Sequence, residues 1–178
     1  MIKTFVFDTD CLSSFLWVKR EDIIEKICGC SILIPSQVYR ELSHPSIPQL
    51  KQGIDRMLER KSASVADIKY GSDEARLFKE MTQHPDAGIK VIGDDEAASI
   101  SIAKYRGCIL ASNNLKDICY YVTKYQLEYV TTADFLYMAV NREIILIETA
   151  EEIWGRMIQR KRKLPLSTFS EYLSSIHR

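Results

Sequence analysis

Little in this chain points outward on its own. Lysine plus arginine and aspartate plus glutamate number 24 each, so no excess of one sign supplies a global field for nucleic acid. Any such binding has to come from a local basic patch. The five cysteines (Cys11, Cys28, Cys30, Cys108, Cys119) are odd in number, sit mostly in apolar runs and form no C-x-x-C pair. That excludes a disulfide frame and a zinc site, and the thiols are expected reduced and buried. No run approaches the ~18 apolar residues of a membrane span, and the N-terminus lacks the charged start, apolar stretch and cleavage site of a signal peptide. The expected setting is cytoplasmic, with no membrane partner. Internal repeats and low-complexity linkers are also missing.

What is present is an ordinary globular composition, 46% hydrophobic and 27% charged over 178 residues, enough to bury a core without staples. The chain is organised around the run Ile2 to Phe7, a hydrophobic strand that stops on Asp8-Thr9-Asp10 before a helical stretch from Cys11 to Trp17. Asp is a favoured N-cap, which would account for one of these acids. In open α/β sheets, however, the C-terminal ends of the strands are where ligands bind.

The same alternation recurs downstream. A helix over Glu21 to Cys28 precedes a short strand, Ser31 to Pro35, and Ser36 is read as the N-cap of a helix from Gln37 to Leu42 that carries Glu41. The stretch from His44 to Gly88 reads as a helical elaboration shaping a substrate edge, with helices at Gln49 to Arg60 and Asp73 to Gln83 and a short extended piece at Ala63 to Ile68. Asp94, Asp95 and Glu96 open a helix to Gly107. Dipole stabilisation explains acids there, but Glu96, Ile100 and Ala103 share one stripe, so Glu96 joins residues that pack on the sheet. Strands at Cys108 to Ala111 and Leu127 to Thr131 each lead into a helix, the first through Ser112-Asn113-Asn114.

Strands alternating with helices predict a three-layer α/β/α sandwich with a mostly parallel central sheet. Residues 1–147 are expected to form this domain, and residues 148–178 a C-terminal helical extension packed on it. Capping-box spacing marks helix starts at Thr149 and Thr168. Between them the run Arg160-Lys161-Arg162-Lys163 reads either as cations closing a helix or as a phosphate-binding patch.

Asp8, Glu41, Glu96 and Asp117, with Asn114 beside the last, come from separate strand-helix junctions or helix starts, which in a parallel sheet face one rim. Carboxylates gathered there repel unless a cation joins them. Oxygen ligands without His or Cys select Mg²⁺ or Mn²⁺.

At this point the sequence resembles the PIN-domain ribonucleases, a family that includes VapC-like toxins. The resemblance spans roughly Ile2 to Ala139. It rests on Asp8-Thr9-Asp10, Val38 to Leu42, Asp95 to Ala103, Ser112 to Ile118 and Val130 to Leu136, in the family's order. It implies a metal-dependent endoribonuclease with Asp8, Glu41, Glu96 and Asp117 as the acids, Asp95 as a further metal ligand, and Ser112 as the small hydroxyl residue ending a strand. Ser112, Asn114, Arg160, Lys161, Arg162 and Lys163 would then contact substrate. The expected partners are RNA, an antitoxin protein and a second copy of the chain. Many relatives carry Asp where this chain has Asn113-Asn114.

Two other readings stay open. Phe7-Asp8-Thr9-Asp10, Ser36 and Asp94-Asp95 imitate a haloacid-dehalogenase-like phosphatase with Asp8 as nucleophile, though Glu41 and the segment Asn114 to Asp117 are then unexplained. A catalytically silent binding module on the PIN fold is the other.

Overall fold

The computed structural model describes residues 3–176. The five strands are β1 (Phe5–Phe7), β2 (Ile32–Pro35), β3 (Ala63–Ala66), β4 (Ile109–Ala111) and β5 (Tyr129–Val130). They form one sheet in the order β3-β2-β1-β4-β5, with every neighbouring pair parallel. The middle strand is β1: Phe5 and Val6 lie opposite Ile32 and Leu33 on one side and opposite Ile109 and Leu110 on the other. Among the described residues ten helices surround the sheet: α1 (Thr9–Trp17), α2 (Glu21–Cys28), α3 (Ser36–Leu42), α4 (Pro48–Glu59), α5 (Asp73–Gln83), α6 (Asp94–Arg106), α7 (Leu115–Tyr125), α8 (Thr132–Asn141), α9 (Ile147–Gln159) and α10 (Phe169–Ile176).

The period of two along a strand divides these residues between two cores. Phe5, Phe7, Ile32, Ile34, Ile109 and Ala111 face one layer, built from α1 to α4 and α8 to α10. Val6, Leu110 and Ala66 face the other, against Leu77 and Met81 of α5, Ile100 and Ala103 of α6, and Ile118 and Tyr121 of α7. Strands covered on both faces read as unbroken apolar runs, which is why Phe5-Val6-Phe7 carries no polar residue. Phe135 of α8 is the hinge of the first core, stacked on Phe7 at 5.3 Å and edge-on to Phe15 at 6.0 Å. It is fully buried, so truncation to Ala is expected to cost about 3–5 kcal/mol. Ala150, Ile153, Trp154 and Met157 of α9 and Phe169 of α10 complete this same core.

Several local expectations need correction. Ser36 is the first residue of α3, with Pro35 at the cap position, and its hydroxyl donates to Gln37 Oε1. Helix α9 starts at Ile147 behind Leu146, so Thr149 lies inside it and caps nothing. The box at Thr168 does form, with Thr168 N–H to Glu171 and Glu171 N–H back to Thr168 Oγ1. Within the stretch from His44 to Gly88, the extended piece expected at Ala63 to Ile68 is present as Ala63–Ala66, which also joins the sheet as an edge strand beside β2. Cys11, Cys28 and Cys108 are buried, but Cys30 and Cys119 are exposed. Ile2, where the first strand was expected to begin, lies outside the described residues. No described helix is long and apolar enough to cross a membrane.

Candidate functional site

The C-terminal ends of β1, β4 and β5 finish together. Asp8 N–H donates to Ala111 O at 3.0 Å and Ser112 N–H to Val130 O at 3.0 Å. The chain leaves this rim through α1, α7 and α8, and α6 starts beside it.

Asp8 sits at the middle of the rim, 1% exposed. It is the N-cap of α1: Oδ1 accepts the Cys11 N–H at 2.8 Å. Capping accounts for one oxygen only. Oδ2 is buried and, among the described residues, has no partner in hydrogen-bond geometry. Burial is the main force pushing the carboxyl from its ordinary 3.8 up to about 8. The neighbouring Ser112 hydroxyl and the Cys11 N–H oppose that rise, while the charges of Asp95 and Asp10 add to it. A carboxyl so placed calls for a cation or a proton.

Glu41 reaches the same rim from α3. The Thr9 hydroxyl donates to its Oε2 at 2.8 Å. Its residue surface is largely exposed, yet the carboxyl end is crowded. Desolvation first, then the charges of Asp95, Asp10 and Glu96, raise its pKa against the pull of Thr9. The carboxylates of α3, α1 and α6 therefore sense one another.

Glu96 lies in the first turn of α6, half-buried, on the stripe with the buried Ile100 and Ala103. Its Oε2 accepts the Gly93 N–H at 2.8 Å, the side-chain half of a capping arrangement, and its Oε1 accepts from Asn114 Nδ2. Asn114 Nδ2 also donates to Asp117 Oδ2 at 2.8 Å. Asn114 thus links α6 to the first turn of α7, where Asp117 is exposed. Asp95 is half-buried and Asp94 exposed. None of Asp8, Glu41, Asp95, Glu96 and Asp117 has a basic side chain in ion-pair contact among the described residues. Nor do three such groups stand close enough together, among the described residues, to hold a metal ion as they are. Glu41 is turned to Thr9, and Glu96 to Gly93 and Asn114.

Ser112 is 1% exposed and accepts the Asn114 N–H at 3.2 Å, shaping the turn out of β4. Asn113 and Asn114 diverge at this turn. Asn113 Oδ1 accepts the Thr132 N–H and its Nδ2 donates to Thr132 Oγ1, both at 2.9 Å, which fastens the β4 turn to α8.

The basic run is not one patch. Arg160 lies over the Trp17 ring at 5.5 Å, Arg162 donates to Ser13 Oγ at 3.3 Å, and Lys163 Nζ stands 4.0 Å from Asp10 Oδ2. Trp17 ends α1 and Asp10 lies in its first turn, so the segment climbs α1, roughly 10 Å at about 1.5 Å per residue. Only Lys163 arrives at the acids, while Lys161 is exposed.

Sequence reasoning missed Thr9, Gly93 and Ser99. Thr9 stood in view between two acids. At Gly93 an added Cβ would come within 2.9 Å of both Asp95 Oδ1 and Glu96 Oε2, so any other residue there would shift these two carboxylates. Ser99 hydroxyl contacts Asp95 O at 2.8 Å and Phe7 O at 3.3 Å, seating α6 on the end of β1. A small polar residue on an apolar helix face was the available signal.

Clefts of about 670 Å³ beside Val65 and Arg106 and about 470 Å³ beside Lys104 and Glu128 contain none of these acids. By sequence, no protein-family model and no curated protein matches the chain. Among solved structures it is similar to VapBC2 from Rickettsia felis bound to a DNA fragment from its promoter. That likeness has a TM-score of 0.53 and 16% identity, covering 72% of this chain and 98% of that one. DNA-bound VapBC from Salmonella typhimurium follows at a TM-score of 0.49 and 15% identity, over 73% and 98%. With its five-stranded parallel sheet between two helical layers and the first of these likenesses, the chain has a PIN-like fold.

Proposed function

We propose that this chain is a metal-dependent ribonuclease that hydrolyses RNA phosphodiesters at the acidic rim, and that it acts as the toxin of a toxin–antitoxin pair. The observation that carries the reading is the buried Oδ2 of Asp8 at the end of the central strand, with no partner in hydrogen-bond geometry among the described residues and only the Ser112 hydroxyl to ease its burial, while Asp95, Asp10 and Glu96 press on the carboxyls of this rim. Removing a carboxylate from water without a partner is costly, and nothing in the core makes use of that cost.

The donor set fits Mg²⁺ or Mn²⁺ in kind, being all oxygen. Asp8, Asp95, Glu96 and Asp117 would hold the ion, with Glu41 closing the set. Such an ion, when bound, supplies an activated water and stabilises the leaving oxygen. The chain's own residues do the rest. The Cys11 N–H fixes Oδ1 so that Oδ2 faces the rim, Thr9 orients Glu41, and Asn114 spaces Glu96 from Asp117. Lys163, with Arg162 and Lys161 behind it, offers positive charge to the phosphates of a strand entering over α1. That the structural neighbours are VapBC assemblies supports an antitoxin partner and contact with nucleic acid.

A phosphatase reading fares less well. A nucleophilic Asp8 would have to be open to an incoming phosphate, yet it is 1% exposed, and the Ser36 hydroxyl is engaged by Gln37. The test is cleavage of single-stranded RNA by the purified protein with and without Mn²⁺, with Asp8→Asn as control. Metal-dependent products from the wild type alone are expected. Ester hydrolysis with no RNA cleavage would reverse the assignment.

A further inference from the structure

A small cavity of about 190 Å³ opens beside the acids, lined by Asn113, Leu115, Thr131, Lys163, Leu164 and Pro165. Three segments distant in sequence build it: the turn from β4 into α7, the cap of α8 at Thr131, and the chain between α9 and α10. Leu115 packs against the second core and Leu164 against the first, so the cavity lies where the two layers meet at the rim. It is below the roughly 300–1,000 Å³ of sites for drug-sized ligands, a size for one ring rather than a whole cofactor.

Its walls and floor differ in chemistry. The walls are apolar. The floor's polar side chains already hold partners: both amide atoms of Asn113 bond Thr132, and Thr131 gives its hydroxyl and its N–H to Asp134 Oδ2 while its Oγ1 accepts the Asp134 N–H. At the mouth stands Lys163, its side chain 75% exposed and its one ion-pair contact the 4.0 Å approach to Asp10. An exposed pair at that distance is weak and easily exchanged.

We propose that this cavity is a base subsite of the ribonuclease: it receives one base of the single-stranded RNA, next to the scissile phosphodiester, while Lys163 leaves Asp10 for the adjoining phosphate. The inference rests on the ribonuclease reading and adds how the strand is held. Because the Asn113 and Thr131 side chains already hold partners, the subsite grips the base chiefly by apolar contact with Leu115, Leu164 and Pro165 rather than by its edge. Any of the four bases is accepted, and an abasic residue is not.

The experiment uses full-length protein and single-stranded RNA hexamers, measuring affinity in EDTA by fluorescence anisotropy and KM for cleavage with Mn²⁺. One base is removed at each position in turn, and the same positions are then exchanged among all four bases. Expected for the wild type is one position where base loss weakens binding by about five-fold, toward the low end for a base resting on a protein surface, with exchange changing it by less than two-fold. Lys163→Gln should lower the slope of log affinity against log salt by about 0.7, one single-strand phosphate. Leu164→Ala should erase the abasic penalty, with circular dichroism checking its fold, and Lys163→Gln stands as the surface variant whose folding is not in question. Wild-type protein that cleaves RNA with no abasic penalty, and with Lys163→Gln unchanged in slope and KM, overturns the subsite alone. Wild-type protein that neither binds nor cleaves RNA overturns the ribonuclease reading and the subsite with it.

Discussion

The Thr9 hydroxyl donates to Glu41 Oε2 at 2.8 Å, tying α3 to the residue that follows Asp8. Glu41 therefore belongs to the rim although it sits six positions into its helix. Glu41→Gln keeps the size and the contact with Thr9 but removes a charge that Asp95, Asp10 and Glu96 repel. The expected result is Mn²⁺ binding weakened and RNA cleavage reduced by orders of magnitude, with the fold intact. Ser36→Ala, assayed beside it, should cleave like the wild type. The opposite pattern on a small phosphate ester, loss with Ser36→Ala and indifference to Glu41→Gln, would favour the phosphatase reading.

Asp8→Asn should abolish metal-dependent cleavage and leave the metal-free protein equally or more stable. An acid whose folded pKa lies above its unfolded value keeps its proton in the folded protein after the unfolded chain has lost it. Stability from Asp8 is therefore greatest at low pH, falls as pH climbs from 3.8 toward about 8, and levels off above. The loss is on the order of a few kcal/mol. The thermal-melting advantage of Asp8→Asn over wild type in EDTA should widen across that window, and Mn²⁺ should remove it by stabilising the wild type alone. A constant difference from pH 4 to pH 8 would contradict the burial of an unpaired carboxyl.

How far the sequence carried the reading depends on the kind of signal each residue left. Phe5-Val6-Phe7 stopping on acids, and Glu96 in register with Ile100 and Ala103, are patterns of spacing, and both survive in three dimensions. Helices α2 and α5 have the bounds their periodicity implies. The extended piece at Ala63 to Ile68 was legible and Ala63–Ala66 is a strand, but its place at the sheet's edge, with Ser64 and Val65 exposed, was not. Its pattern is too short to name its neighbour. Asn113 and Asn114 look alike in sequence, but the turn after Ser112 sends one toward Thr132 and the other toward Glu96. Only the path of the chain decides that. The basic run misled in a similar way, because the climb along α1 gives Arg160 to Trp17 and leaves Lys163 for the rim.

That climb yields a graded outcome for substrate affinity. Lys163→Gln should flatten the salt dependence of RNA binding by about 0.7 in slope, and Arg160→Gln should change it little, since its guanidinium is spent on the Trp17 ring. Equal effects at both positions would mean that the strand follows the whole length of α1.

The last expectation concerns Asn114, whose Nδ2 donates to both Glu96 and Asp117. A neutral amide there satisfies two carboxylates without adding charge, the task a cation would otherwise perform. Asn114→Asp replaces both donations with repulsion. Without metal it should lower the melting temperature by several degrees, in line with about 1–3 kcal/mol for hydrogen bonds to charged groups on a partly exposed surface. With Mn²⁺ the order should invert. The new carboxylate adds a hard oxygen ligand between two existing ones, so calorimetry should find tighter binding than in the wild type, and cleavage should saturate at lower Mn²⁺. The variant therefore exchanges metal-free stability for metal affinity. If it loses stability in EDTA and binds Mn²⁺ no better, then Glu96 and Asp117 are paired through Asn114 for structure alone, and the metal ligands narrow to the group around Asp8.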